Sequence, residues 1–153
     1  MKKRILLLSI ALISFTAFSF AAVAPVSVSK NVVISFNKQF SNAKDIKWES
    51  HADFLKAEFT MNDIVLYAYF NKSGDLIAVT RYISSNQLPL VLLTSLKKQF
   101  SSGYWVSDIF EIETETGTSY YATFESADQT IVLKSEGISG WITFQKEKKE
   151  NAE

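Results

Sequence analysis

The chain of 153 residues contains no cysteine, one histidine, two prolines and five glycines. Without cysteine there is no disulfide, no thiol nucleophile and no thiolate metal ligand. A single histidine is too few for a histidine-ligated zinc site, and the scattered glycines form no phosphate-binding loop. Packing alone must therefore hold the fold, and we expect no cofactor and no metal.

Excess positive charge is also missing, because 16 basic residues balance 16 acidic ones. Three of the basic residues, Lys2, Lys3 and Arg4, lie at the N terminus, so the chain beyond them carries 13 basic and 16 acidic residues. Nucleic-acid binding needs a basic face. The composition therefore predicts that nucleic acid is not a partner.

The N-terminal segment has the three parts of a secretory signal peptide, which we predict over residues 1–24. A basic start is followed by 16 uncharged, mostly apolar residues at 5–20 and then by small residues. Cleavage fits near residue 21, after Ser-Phe-Ala, or near residue 24, after Ala-Val-Ala. The run is short for a membrane span of about 20 residues. We expect a periplasmic or secreted protein without stable membrane insertion after cleavage.

A short repeat organises the rest of the chain. Lys-Gln-Phe-Ser occurs at 38–41 and again at 98–101, which is a spacing of 60 residues. Apolar residues precede each copy at helical spacing, and the two sets are Val33, Phe36 and Phe40, and Leu93, Leu96 and Phe100. This spacing predicts one amphipathic helix in each half. Two copies at this period indicate a duplicated unit.

After each helix the pattern changes to short, alternating or β-branched runs separated by turn residues. The predicted strands are 46–49, 54–60, 64–70 and 76–83, then 105–113, 119–125, 129–135 and 138–144. The sequence therefore predicts an α+β fold of two tandem repeats, at 25–85 and 86–145, each a helix followed by an antiparallel meander. The charged segment 146–153 lacks an apolar face and is expected to be disordered.

Several segments in this order resemble the PepSY-like family of exported bacterial proteins, which is related in fold to the β-lactamase inhibitor proteins. They are Ala-Lys-Asp-Ile-Lys-Trp-Glu at 43–49, Ala-Glu-Phe at 57–59, the turn at Gly74 and Gln-Leu-Pro at 87–89. The resemblance covers residues 28–144. It implies one extended sheet with both helices on one face, and binding or inhibition without catalysis. Those inhibitors carry disulfides and this chain has no cysteine, so inhibition of a β-lactamase is not implied.

Two groups of residues were considered as reactive sites. Ser50, His51 and Asp53 are neighbours in a predicted loop, but a catalytic triad needs groups that converge in space, so a solvated histidine is favoured. Three alternating carboxylates, Glu111, Glu113 and Glu115, could form a weak cation site, but a charged face is favoured.

The open face of the sheet offers the stronger hypothesis. Strand alternation assigns to the helix-covered face Leu55, Ala57, Phe59, Tyr120, Ala122, Phe124, Ile142 and Phe144. Tyrosine and tryptophan on the other face are typical of protein-binding surfaces, although cross-strand pairs that only stabilise the sheet would look the same. The predicted partner-binding residues are Tyr67, Tyr69, Tyr121, Trp141, Lys56 and Lys134. The strands of Tyr67, Tyr69 and Tyr82 are apolar on both faces, so the sequence leaves open which face carries these three tyrosines.

These residues predict an exported, non-catalytic protein that binds or inhibits a protein or peptide of the cell envelope. One alternative is a periplasmic carrier of a small molecule or lipid, which would need a cavity between helices and sheet. A less favoured alternative is an envelope hydrolase, which would need carboxylates and His51 clustered in a cleft.

Overall fold

The computed structural model of the chain describes residues 26–99 and 103–149. The predicted signal peptide and its two cleavage sites lie outside these ranges, as do Phe100 of the second helical repeat and residues 150–153.

Both predicted helices are present. Helix α1 spans Lys30–Gln39, and its first turn is capped by Ser29, whose Oγ accepts a hydrogen bond from the Val32 amide at 3.4 Å. Helix α2 spans Leu90–Gln99 and follows Pro89, whose carbonyl accepts the Leu93 amide at 3.0 Å. Proline suits this position because its fixed φ is compatible with the start of a helix.

Eight strands form one open antiparallel sheet in sequence order, so every strand pairs with its neighbours along the chain. This confirms the α+β class and the single sheet, whereas the internal duplication stays a prediction. Each helix precedes four strands, and a short 3₁₀ turn at Ser85–Gln87 leads into α2. The strands are β1 (Lys44–Ser50), β2 (Phe54–Met61), β3 (Ile64–Asn71), β4 (Leu76–Tyr82), β5 (Trp105–Thr114), β6 (Gly117–Glu125), β7 (Gln129–Glu136) and β8 (Ile142–Lys148).

Both helices pack on the same face of this sheet. Under α1 lies a cluster formed by Val32, Phe36, Leu55, Ala57, Phe59, Leu66, Ala68 and Phe70. Under α2 lies a second cluster formed by Ile83, Leu88, Leu92, Leu96, Ile109, Ala122, Phe124, Ile131, Leu133 and Trp141. The strand neighbours of these residues point to the other face, which the helices do not cover.

The last strand differs from its prediction. It begins at Ile142, because residues 136–140 form a turn with positive φ at Gly137 (55°) and Gly140 (100°). It then continues through Lys148, and Glu147 pairs with Thr130 of β7. The expectation of disorder from residue 146 is therefore wrong for residues 146–149, because backbone pairing orders them.

Three side chains near the start of β8 point to the face opposite to the predicted one. Trp141, predicted on the open face, lies under α2, where it is 9% exposed and its Nε1 donates a hydrogen bond to the Leu92 carbonyl at 3.0 Å. Its assignment to the partner-binding face is therefore wrong. Ile142 and Phe144, predicted under the helices, both lie on the open face, where Phe144 contacts Tyr121.

Phe36 provides a test of the cluster under α1. Its ring lies 5.0 Å from that of Phe59 and 5.3 Å from that of Trp48, and its side chain is almost fully buried. We expect Phe36→Ala to lower the free energy of unfolding by about 3–5 kcal/mol, because it leaves a cavity among these rings. Urea denaturation measures the change.

Ile34→Ala is the matched control, since Ile34 lies on the exposed side of the same helix. It should change the free energy of unfolding by about 0.5 kcal/mol or less. Equal losses in the two variants would contradict the placement of α1.

Candidate binding surface

The face without helices carries its own apolar layer. The buried residues Tyr69, Ala78, Phe110, Ile112, Tyr121 and Val132 form one cluster, and partly buried Phe54, Tyr67, Ile77 and Phe144 pack against it. Within β3, Ala68 and Phe70 point to α1, so Tyr67 and Tyr69 point to the open face. The side of these two tyrosines could not be read from sequence, because β3 is apolar in both phases.

Ring contacts continue across this face from β2 to β8. Phe110 and Tyr121 stack with centroids 4.9 Å apart, and Phe144 meets Tyr121 edge-on at 5.3 Å. Tyr82 lies 6.2 Å from Phe110 and 6.4 Å from Tyr67. We call this layer the aromatic band, and its members are Phe54, Tyr67, Tyr69, Tyr82, Phe110, Tyr121 and Phe144.

Exposure within the aromatic band is uneven. Tyr69 and Tyr121 are 4% and 2% exposed, so a partner could not reach more than their edges. Tyr82, in contrast, is 63% exposed. Tyr121 lies on the open face, as predicted, and Tyr69 lies there too, but both are supports for the surface, and Tyr82 is its accessible aromatic residue.

The two predicted lysines lie over tyrosine rings. The ammonium of Lys56 is 4.9 Å from the centre of the Tyr67 ring and 3.3 Å from both carboxylate oxygens of Glu49. The ammonium of Lys134 is 5.9 Å from the Tyr121 ring and 2.9 Å from Glu136. Each lysine thus combines an ion pair with a cation–π contact, which holds its stem against the aromatic band.

A cleft of about 270 Å³ opens between β1 and β5 on this face. Its floor includes Tyr69 and Thr80, and its walls include Phe54, Tyr67 and Tyr82. The full lining is Glu49, His51, Phe54, Lys56, Glu58, Tyr67, Tyr69, Thr80, Arg81, Tyr82 and Phe110. The lining combines aromatic rings with carboxylates and one ammonium that reaches in, a composition suited to a mixed polar and apolar ligand.

Burial keeps the hydroxyls of this cleft protonated. Desolvation raises the pKa of Tyr69 to about 12, although a hydrogen bond with Thr80 acts in the opposite direction. Desolvation and the charge of Glu58 raise the pKa of Tyr67, while desolvation and the charge of Asp108 raise that of Tyr82. At neutral pH all three tyrosines are therefore neutral hydrogen-bond donors.

The candidate reactive groups Ser50 and His51 each contact other residues. The Nε2 atom of His51 lies 3.5 Å from Glu49, and its ring stacks on Phe54 at 4.4 Å. The Oγ atom of Ser50 accepts a hydrogen bond from the Lys72 ammonium at 3.3 Å, and the described part of the chain shows no hydrogen bond between this hydroxyl and the imidazole. The structure supports the interpretation of His51 as a loop histidine.

The alternating carboxylates are used singly. Glu111 pairs with Arg81 at 3.3 Å, and Glu113 accepts a hydrogen bond from Thr118 at 2.8 Å. Across residues 26–99 and 103–149, no group of three or more histidine, cysteine or acidic residues is placed to hold a metal ion.

Sequence reasoning assigned no role to Phe54, Phe110 and Thr80, and it left the side of Tyr82 open. A signal for Phe110 was present: if Glu111 and Glu113 share one face of β5, Phe110 and Ile112 must share the other. Nothing comparable marks Thr80, whose position follows from pairing with Tyr67 in the sheet. Among the described residues no helix is both long enough and apolar enough to cross a membrane.

The Tyr69 hydroxyl predicts how stability depends on alkaline pH. Its pKa is about 12 in the folded chain and about 10 when unfolded, so the unfolded chain loses its proton first as the pH rises. The free energy of unfolding should therefore fall between pH 10 and pH 12, by about 3 kcal/mol from this group. Urea denaturation across this range should show a smaller fall for Tyr69→Phe than for the wild type. Parallel curves would contradict the prediction.

Comparison with known proteins gives a fold likeness and no sequence family. No family model matches the chain, and no curated protein matches it. A BLIP-like protein from Bacteroides fragilis is 20% identical with a TM-score of 0.70, over 84% of this chain and 91% of that one. A DUF2874 family protein from Bacteroides ovatus is 16% identical with a TM-score of 0.71, over 80% and 89%. A protein from Bacteroides eggerthii, provisionally described as periplasmic, is 12% identical with a TM-score of 0.70, over 80% and 90%. At these identities the likeness shows that the chain has a BLIP-like fold.

Proposed function

We propose that the protein is an exported, non-catalytic binding protein whose open sheet face binds or inhibits a protein or peptide partner in the cell envelope. The observation that carries the proposal is the exposure of Tyr82 in the aromatic band, above a cleft on the face that no helix covers. Exposed tyrosines on a rigid, largely buried support are typical of interface hot spots.

The fold likeness supports this proposal. One structural neighbour is named as BLIP-like, after inhibitor proteins, and another is provisionally described as periplasmic. The predicted signal peptide points to the same compartment, the periplasm or the outside of the cell. The PepSY-like assignment rests on sequence resemblance alone.

The predicted site residues divide by their accessibility. Tyr67 and Lys56 line the cleft and would contact a partner together with Tyr82. Tyr69 would act from beneath, as a support. Lys134 belongs to the far side of the band, over Tyr121, and would contribute only to a partner that covers most of the sheet.

The tandem-repeat organisation is part of the same proposal. In each of the halves 25–85 and 86–145, one helix precedes four strands, and Lys-Gln-Phe-Ser recurs where each helix ends. A duplicated unit would explain how two helices come to lie on the same face of one sheet, which leaves the other face open over its full width.

A small-molecule or lipid carrier is the weaker alternative. The space between helices and sheet is occupied by side chains such as Phe36 and Leu92, which are almost fully buried. The cleft itself, at about 270 Å³, lies just below the usual range of about 300–1,000 Å³ for ligand pockets. A flat surface with one shallow cleft suits a protein partner better than an enclosed ligand.

Affinity capture from an envelope extract of the source organism tests the proposal. The bait is the exported protein, compared with Tyr82→Ser, and the retained proteins are identified by mass spectrometry. We expect one partner that the wild type retains and that Tyr82→Ser binds at least about tenfold more weakly, because a truncated hot spot costs 1–2 kcal/mol or more.

Leu90→Ser is the matched control, since Leu90 is an exposed apolar residue on α2, on the opposite side of the sheet. It should retain the partner at the wild-type level. If Leu90→Ser releases the partner and Tyr82→Ser keeps it, the open face is the wrong surface.

A further inference from the structure

Near its centre the open face carries one carboxylate, that of Asp108, which none of the described lysines of the face contacts. The lysines of this face each contact a carboxylate, and the pairs are Lys47–Glu58, Lys56–Glu49, Lys134–Glu136 and Lys149–Glu125. Asp108, in contrast, has no basic side chain within ion-pair distance among the described residues. The central part of the face therefore carries one negative charge that the described part of the protein does not neutralise.

Asp108 is held in place by hydroxyl groups. Its two carboxylate oxygens accept hydrogen bonds from Ser107 Oγ at 2.9 Å and from Thr123 Oγ1 at 3.2 Å. A carboxylate held by two neutral donors keeps its position, so a partner cation would not have to order it.

Asp108 lies beside the exposed tyrosine. Tyr82 is paired with Phe110 across β4 and β5, and Asp108 is two residues from Phe110, on the same face of β5. The charge of Asp108 contributes to the raised pKa of Tyr82, which also places the two groups close together. An accessible ring and a fixed anion are thus neighbours.

Two other places on the same face show what an aromatic ring beside a carboxylate binds. Lys56 lies over Tyr67 while it contacts Glu49, and Lys149 lies 5.5 Å from the Trp105 ring while it contacts Glu125. In both cases one cation contacts both an aromatic ring and a carboxylate. Tyr82 and Asp108 repeat this combination, but no cation of the described residues lies over Tyr82.

We propose that Tyr82 and Asp108 receive a basic side chain, an arginine or lysine, from the protein partner that the open face binds. This inference rests on the proposed function and specifies its chemistry. The guanidinium or ammonium would lie on the Tyr82 ring and pair with the Asp108 carboxylate. Arginine suits the site well because its planar group can stack on the ring while it donates hydrogen bonds to the carboxylate.

A minimal ligand isolates this interaction. N-acetyl-arginine amide is titrated into the isotope-labelled protein, and backbone amide shifts are followed by NMR. N-acetyl-citrulline amide, which has nearly the same shape and no charge, is the neutral comparison. We expect saturable shifts centred on Tyr82 and Asp108 with the arginine compound and at least about fivefold weaker binding of the citrulline compound.

Two variants each remove one negative charge, one at the proposed site and one away from it. Asp108→Asn should weaken binding of the arginine compound about fivefold, because it removes the charge but keeps the shape. Glu115→Gln removes one negative charge in the β5–β6 turn, seven residues from Asp108 along the extended chain, and should bind like the wild type. Equal binding of the arginine and citrulline compounds, or wild-type affinity in Asp108→Asn, would overturn the inference.

The affinity capture experiment distinguishes this inference from the proposed function on which it rests. If Tyr82→Ser releases the partner but Asp108→Asn retains it fully, the open face binds without a basic side chain at this position. If both variants retain the partner, the open face itself is excluded. Loss of the partner in Asp108→Asn, with retention in Glu115→Gln, supports both.

Discussion

Two helices of ten residues cover one face of an eight-stranded sheet, and the strands themselves must supply the side chains that shield the other face. A sheet face without a covering layer usually alternates to polar residues. Here the strands place aromatic rings on it, and ring-to-ring packing buries Tyr69, Phe110 and Tyr121 without any covering element. Large rings do this well because each one covers much of the backbone beneath it.

The aromatic band also joins the two halves of the chain. The cluster under α1 draws its buried residues from positions 32–70, and the cluster under α2 from positions 83–141. The cluster of the open face takes Tyr69 and Ala78 from the first half and Phe110 and Tyr121 from the second, whereas the cluster under α2 takes only Ile83 from the first half among the described residues. In a protein without disulfides, this face therefore has a structural role across the β4–β5 junction. A change at a buried ring would affect stability and binding together, which is why exposed Tyr82 separates the two effects.

The helices and strands were well predicted from the sequence, because the spacing of hydrophobic residues is clear where one face of an element is buried and the other is exposed to solvent. Leu55, Ala57 and Phe59 alternate with charged residues, and in β2 these three side chains are the buried ones, as the alternation predicts. In β3 both faces are apolar, so the direction of Tyr67 depends on pairing with β2 and β4, which no local pattern encodes. The error at Trp141 has another source. The turn at 136–140 delays β8, and the strand then enters the sheet in the phase opposite to the predicted one, so Trp141 lies under α2 and Phe144 on the open face.

The candidate site was predictable only in part for a related reason. Tyr67 and Lys56 could be named because of their residue types, but the cleft exists through cross-strand neighbours that are distant in sequence, such as Thr80 beside Tyr67. Asp108 has no distinguishing sequence context, and it matters only because the surrounding lysines are already paired. At 11–20% identity the neighbouring structures keep the sheet and its helices while most side chains differ. On the proposed function, partner choice would therefore be encoded by the few accessible groups of the open face, and electrostatic matching at Asp108 would act mainly on specificity and the rate of association.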